Sequence, residues 1–127
     1  MSDESFVFNK QLDGRFLNSI YEGDKEHAKM IFSKFVNSVN GYLAEIEQGY
    51  NSGNAEIFRK AIHKFKPVLS FVGLTKLTGS AEIIEKKCNG ITDVNTLSGL
   101  YIPFKTELKE MIPVIETDLM KMKALTS

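Results

Sequence analysis

The feature that most restricts what this chain can fold into is one apolar seam running through its C-terminal third. Leu97, Tyr101, Phe104, Leu108, Met111, Ile115, Leu119 and Met122 follow one another in steps of three or four. That spacing matches an α-helix with one buried face and does not match the two-residue alternation of a strand. The same period recurs upstream in Ala28, Ile31, Phe35, Val39, Tyr42 and Ile46. It recurs again in Phe58, Ile62, Phe65, Leu69 and Val72, and then in Leu74, Leu77, Ala81, Ile84 and Cys88. A short segment over roughly 13–21 precedes them, and Asp24 has the chemistry of an N-cap for the first long helix. GYNSGN at 49–54, Gly73 and the NGITD stretch punctuate the pattern. Pro103 and Pro113 lie off the last seam, so kinks or a broken start are expected there. Four main amphipathic segments joined by short polar connections predict an all-α fold. The expected architecture is an antiparallel four-helix bundle with a short additional N-terminal helix.

A length of 127 residues suits one domain with its own core, here taken as 1–127, with the first few residues expected to be flexible. Sixteen basic and sixteen acidic side chains cancel, so no global field points to nucleic acid or an anionic membrane. MSDESFVFNK lacks the features of a secretory leader, and no apolar run approaches the ~20 residues of a membrane span. The lone Cys88 forms no internal disulfide and suits a reducing compartment, so a cytoplasmic location is expected. The initiating Met favours a free-standing protein. A monomer is the default, because the four stripes can cover one another.

The second long segment leaves a different set of residues outside its seam. Arg59, His63, Lys66 and Ser70 are spaced by four, three and four and are expected to share one outward ribbon, with Pro67 beside it. Between Glu56 and Lys66 there are four Arg or Lys residues and a single acid, which makes the face around His63 locally basic. A surface histidine beside lysines is ordinarily just a solvated side chain. Here three features raise its interest. An exposed imidazole, with an ordinary pKa of ~6.5, is largely neutral at cytoplasmic pH and keeps one ring nitrogen free as a nucleophile. A phosphoryl group there would meet Lys66 one turn on, with Arg59 and Lys64 nearby. A bundle beneath is a rigid platform for presenting it. Pro67 adds a fourth, since it has no amide hydrogen to donate to the carbonyl of His63.

At these residues the chain resembles the histidine-containing phosphotransfer domains of multistep two-component signalling. That family's pattern is a phospho-accepting His, an apolar residue two on, a Lys three on and usually a Gly four on. A Gly ten on and an apolar residue fourteen on complete it. The corresponding residues are His63, Phe65, Lys66, Pro67, Gly73 and Leu77, and Glu85 matches an acidic or amide position twenty-two on. LNSIYEGDKEHAKMIFSKF resembles the family's first long helix, so the likeness spans roughly 12–122. Pro67 departs from the pattern, filling a spot where the family keeps a Gly for close approach of a receiver domain.

The resemblance implies a phosphorelay intermediate. His63 would take a phosphoryl group from the aspartate of one receiver domain and pass it to another, with Lys66 offsetting the phosphoryl charge. Glu85 would orient the imidazole through its other nitrogen; its plain alternative is a solvated acid on a helix face. Arg59, Lys64, Pro67 and Ser70 would contribute to docking. The implied partners are receiver domains of response regulators or of a hybrid sensor histidine kinase, with neither nucleic acid nor membrane. No cofactor is expected, and any divalent metal would belong to the receiver.

Other chemistry is poorly provided for. His27 and His63 are the only histidines and neither follows a Glu by three, so a metal-binding bundle has no ligand set. No P-loop or nucleotide-binding glycine motif is present, so the chain is not expected to be an enzyme with kinase activity of its own. His27 reads as a surface residue and Cys88 as core. The remaining alternatives are a binding-only adaptor that docks a receiver without transferring phosphate, and a purely structural helical domain.

Overall fold

A computed structural model of the chain describes residues 6–126. The flexibility expected of the first few residues lies outside the described residues, apart from Phe6 onward. Five α-helices form: α1 (Gly14–Tyr21), α2 (Lys25–Asn51), α3 (Ala55–Phe71), α4 (Thr75–Lys87) and α5 (Ser98–Thr126). A 3-10 turn at Val94–Leu97 leads into α5, and no strand occurs among the described residues. α2 packs against α3 and α5, and α4 packs against the same two helices, while α1 rests on α2.

The core follows the sequence seams closely. Every seam residue named for α3, α4 and α5 is buried, together with Val72, Leu74, Cys88 and Leu97 at the helix ends. On α2 the stripe is wider than expected. Phe32 and Leu43 are buried, whereas Ile31 and Tyr42 are only partly covered, because this helix faces both α3 and α5. Three helix starts are capped as their residue types suggest. Asp13, Asp24 and Asn54 accept from the amides of Phe16, His27 and Ile57, each at 3.0 Å.

One boundary differs from expectation. α2 runs through the first residues of GYNSGN and ends at Asn51. Gly49 is buried in its last turn, where an added Cβ would lie 2.5 Å from the Phe58 amide nitrogen, so the missing side chain lets α3 begin directly against α2. α5 is continuous through Pro103 and Pro113. Both prolines are exposed, as are Gly99 and Lys109 one turn back, so water can serve the carbonyls that lose their donors.

The turn between α3 and α4 sets the relation of the two helices. Gly73 has φ +80°, a left-handed conformation that glycine adopts without a Cβ penalty. Its amide donates to Ser70 and that of Leu74 to Leu69, closing the end of α3 in a Schellman arrangement. The Gly73 carbonyl accepts from Asp13 at 2.9 Å, and the Asp13 side chain accepts from Thr75 at 2.9 Å. The start of α1 is thereby tied to the start of α4. Among the described residues, no helix is long and apolar enough to cross a membrane.

Candidate functional site

His63 and Lys66 lie one turn apart on α3, and Glu82 and Glu85 stand at the same spacing on the neighbouring face of α4. The His63 side chain is 64% exposed, and its Nδ1 lies 2.6 Å from Oε2 of Glu85. Lys66 Nζ donates to Oε1 of the same carboxylate at 2.9 Å and lies 3.8 Å from Glu82. Glu85 therefore bridges the two, one oxygen to each.

The charge of Glu85 decides which way the imidazole is protonated. Burial opposes its ionisation, but the hydrogen bonds from Lys66 and His63 outweigh burial and hold the carboxyl below its usual range. An ionised carboxylate offers acceptors only, so Nδ1 must be the donor. In the neutral ring the lone pair then sits on Nε2, which has no hydrogen-bond partner among the described residues. The result is a nitrogen nucleophile open to solvent, held in one tautomer from behind, with an ammonium group one turn away.

The other candidate residues are arranged less simply. Arg59, Lys66 and Ser70 are half-buried and lean toward α4, so the expected outward ribbon is a seam between two helices. Arg59 donates to Glu56 at 2.9 Å and helps line a shallow groove with Lys66, Glu82, Glu85, Lys86 and Asn89. Ser70 shares a 2.8 Å hydrogen bond with Thr78 of α4. Lys64 turns the other way and pairs with Glu45 of α2 at 2.8 Å. Pro67 is exposed one turn beyond His63, within a helix that continues to Phe71.

The locally basic face expected around His63 is not present. Each of the four cations has a carboxylate within reach: Arg59 and Lys60 share Glu56, Lys64 has Glu45, and Lys66 has Glu85. The pairs of Glu56 and Glu45 are exposed and add little stability, but together with the Lys66–Glu85 pair they offset the positive charge of the ribbon. Two of the acids come from other helices, and a reading along α3 alone does not see them.

Glu82 and Phe71 were missed by the sequence reading. Glu82 sits three residues before Glu85, a spacing that places it on the same face of α4. Phe71 follows His63 and Pro67 at one-turn steps and is 46% exposed, so an apolar edge runs along α3 from the imidazole. His27 is exposed, with its ring edge-on to Tyr21. Cys88 is buried, and burial pushes its thiol up, away from the reactive thiolate. A larger hollow lined by Phe6, Phe8, Tyr21 and Asp24 shares no residue with the His63 cluster. Among the described residues, no group of three or more His, Cys, Asp or Glu is placed to hold a metal ion.

Comparison with known proteins finds no family model, no curated protein and no solved structure that matches this chain.

Proposed function

We propose that this chain is a histidine phosphocarrier of a multistep two-component phosphorelay, with His63 as the residue that is phosphorylated. The observation that carries the reading is the His63–Glu85–Lys66 bridge. It combines a solvent-facing Nε2, a fixed Nδ1–H tautomer and a nearby ammonium group. The supporting scaffold is read as an antiparallel four-helix bundle of α2–α5 with α1 as the additional helix. Support for that arrangement comes from the cyclic packing of the four helices and from the short connections, three residues each, that join α2 to α3 and α3 to α4 and turn those helices back on one another.

In the proposed reaction, the Nε2 lone pair attacks the phosphorus of a receiver's aspartyl phosphate. The Nε2–P bond forms as the acyl P–O bond breaks, and the electron pair leaves with the receiver carboxylate. Lys66, shared between Glu85 and Glu82, is close enough in sequence and space to turn toward the new phosphoryl oxygens. The reverse displacement by a second receiver's aspartate completes the relay. Acid residues and any divalent metal come from the receiver, so the carrier has no kinase activity of its own. Receiver domains are its partners, and a monomer working in the cytoplasm is the corresponding setting.

The test is to mix the purified protein with a phosphorylated receiver and look for acid-labile, base-stable phosphate on the chain. Label on the wild type and none on His63→Ala is the expected result. No label, or label that persists in His63→Ala, overturns the proposal. Receiver binding without label would instead identify a docking adaptor.

A further inference from the structure

Two acids hold Lys66, and they differ in what else they hold. Glu85 gives Oε1 to the ammonium at 2.9 Å and Oε2 to the imidazole. Glu82 lies 3.8 Å from the same ammonium, and its other oxygen pairs with Lys86 at 3.3 Å, one turn along α4. Stepping forward from His63 to Lys66 on α3 is therefore stepping back from Glu85 to Glu82 on α4. Among the described residues Glu82 makes no hydrogen bond or ion pair with the imidazole, and it draws the ammonium along the seam, away from the ring. The hydrogen bond to Glu85 first, and the charges of both acids after it, hold the Lys66 pKa above the ordinary lysine value against the opposing effect of burial.

We propose that Glu82 withholds Lys66 from the phosphoryl group on His63, and that Lys86 moderates this hold by sharing the Glu82 carboxylate. This rests on the phosphocarrier reading and makes Glu82 a positioning residue that acts through Lys66. An ammonium group has three hydrogens. Lys66 can keep one on Glu85, which stands beside His63, while it turns another to the phosphoryl oxygens. It cannot keep Glu82 in the same pose, because that acid stands one turn farther from the ring. Loading of His63 therefore exchanges a Lys66–Glu82 pair for a Lys66–phosphoryl pair, and a stronger first pair makes the exchange slower.

The other members of the groove leave this competition to Lys66, Glu82 and Lys86. Arg59 is taken by Glu56, and Asn89 is uncharged. Glu82 is half-exposed and Lys86 is more exposed still, so either can be replaced without opening the core. Replacing Glu82 also leaves the Glu85 carboxylate and its contact with Nδ1 in place. The control of Lys66 is thus separable from the orientation of the ring.

The experiment uses phosphoramidate, a small phosphodonor that needs no receiver. The Nε2 lone pair forms the new N–P bond as the donor's own P–N bond breaks, and the protonated donor nitrogen leaves as ammonia. Loading rates are compared for wild type, Glu82→Gln, Lys86→Ala, Lys66→Ala and the double variants that pair Glu82→Gln with each of the other two. Glu82→Gln should load faster, by up to about fivefold, the range of an exposed ion pair. Lys86→Ala should load more slowly by a similar factor, but should have no effect once Glu82 is Gln. Glu82→Gln should have no effect once Lys66 is Ala. In the free protein, proton–nitrogen NMR should find the Lys66 ammonium titrating at lower pH in Glu82→Gln, with the His63 ring signals unmoved. Loading of Glu82→Gln at the wild-type rate overturns this inference and leaves the phosphocarrier reading intact. So does an acceleration that persists without Lys66, which would mean that Glu82 acts on the incoming phosphoryl group directly. Rates as expected, with no transfer from any receiver, sustain the role of Glu82 and remove the relay. Failure of phosphoramidate to load His63 in every variant overturns both.

Discussion

Asp118 on α5 and Asn9 in the N-terminal segment, 109 positions apart in sequence, meet in a 2.8 Å hydrogen bond from the Asn9 amide to Oδ2. Asp118 is fully buried, and its Oδ1 has no partner among the described residues. In the same N-terminal segment as Asn9, Phe6 and Phe8 pack on the core, with Phe8 against Phe32. The carboxylate thus fastens the segment that leads into α1. Burial raises its pKa, against smaller opposing effects of the Asn9 hydrogen bond and Lys121. The folded state therefore binds this proton more readily than the unfolded chain. Its contribution to stability is full below the ordinary carboxyl pKa and is lost as pH rises through the folded value. Asp118→Asn keeps an acceptor for Asn9 and removes the buried charge. Denaturant titration should find the variant more stable at neutral pH by about 1 kcal/mol, with the gain disappearing in acid. A variant less stable than wild type at neutral pH would mean that the charge itself holds the segment.

Glu85 titrates with the opposite sign. Its folded pKa is lowered, so its contribution is present above the ordinary carboxyl pKa and lost as pH falls through the folded value. Acidification should therefore loosen the α3–α4 seam, and Glu85→Gln should flatten the acid limb of the stability curve while Asp118→Asn steepens it. Thermal midpoints across the acidic range, measured in both variants, check the two signs. Parallel curves in the two variants would contradict them.

The contrast between two glycines tests how the α3–α4 turn is built. A Cβ on Gly73 would lie 2.7 Å from Leu17 Cδ1 and 3.0 Å from Leu12 Cβ, in a backbone region that L-residues avoid. Strain and overpacking together should make Gly73→Ala lose about 2–4 kcal/mol. Gly79 lies inside α4 with open space where a Cβ would go, so Gly79→Ala should gain up to about 1 kcal/mol from helix propensity. Equal effects from the two substitutions, read by thermal denaturation, would refute this account of the turn.

The helices and their buried faces were legible in the sequence because period and burial are local properties. His63, Lys66 and Glu85 could be brought to one place by the resemblance and its spacings, but the bridge between them could not be read from any one helix. Glu45 against Lys64, and Glu85 against Lys66, depend on how far one helix is slid and turned against the next. Periodicity does not encode that register. Asp118 was detectable in principle, since it stands three residues after Ile115 in phase with the apolar seam. Gly49 was read as loop because composition marks turns, whereas its use is close contact with the backbone of Phe58.

Pro67 separates the stability of α3 from the chemistry of His63. Replacing it with Ala returns an amide donor to the His63 carbonyl and removes a ring clash, changes worth up to about 3 kcal/mol in a helix interior. The site is exposed, so nothing packed is lost. Pro67→Ala should be more stable than wild type and load with phosphoramidate at an unchanged rate, because Nδ1 stays with Glu85. If the ring contributes to docking, receiver affinity or choice should change in the same variant. A fall in stability would show that the proline is matched to the local backbone.

At the other end of the bundle core, Tyr101 is fully buried and its hydroxyl donates to Oε2 of Glu47, which also accepts from Lys105 at 3.0 Å. The ring packs between Tyr50 and Phe58, and Lys105 lies 5.4 Å from its centroid. Burial first, and then the hydrogen bond and charge of Glu47, raise the phenol pKa, so the hydroxyl stays protonated and donating. Tyr101→Phe keeps the packing and removes only the donor, leaving Glu47 with Lys105. Hydrogen bonds to charged groups contribute about 1.5–3 kcal/mol, and the retained lysine should hold the loss near the lower figure. Combined with Glu47→Gln, the two losses should fall short of additive, since both remove the same bond. None of these side chains touches His63, so phosphoramidate loading should be unchanged in both variants. Additive losses in the cycle would show that the hydroxyl and the carboxylate are not coupled.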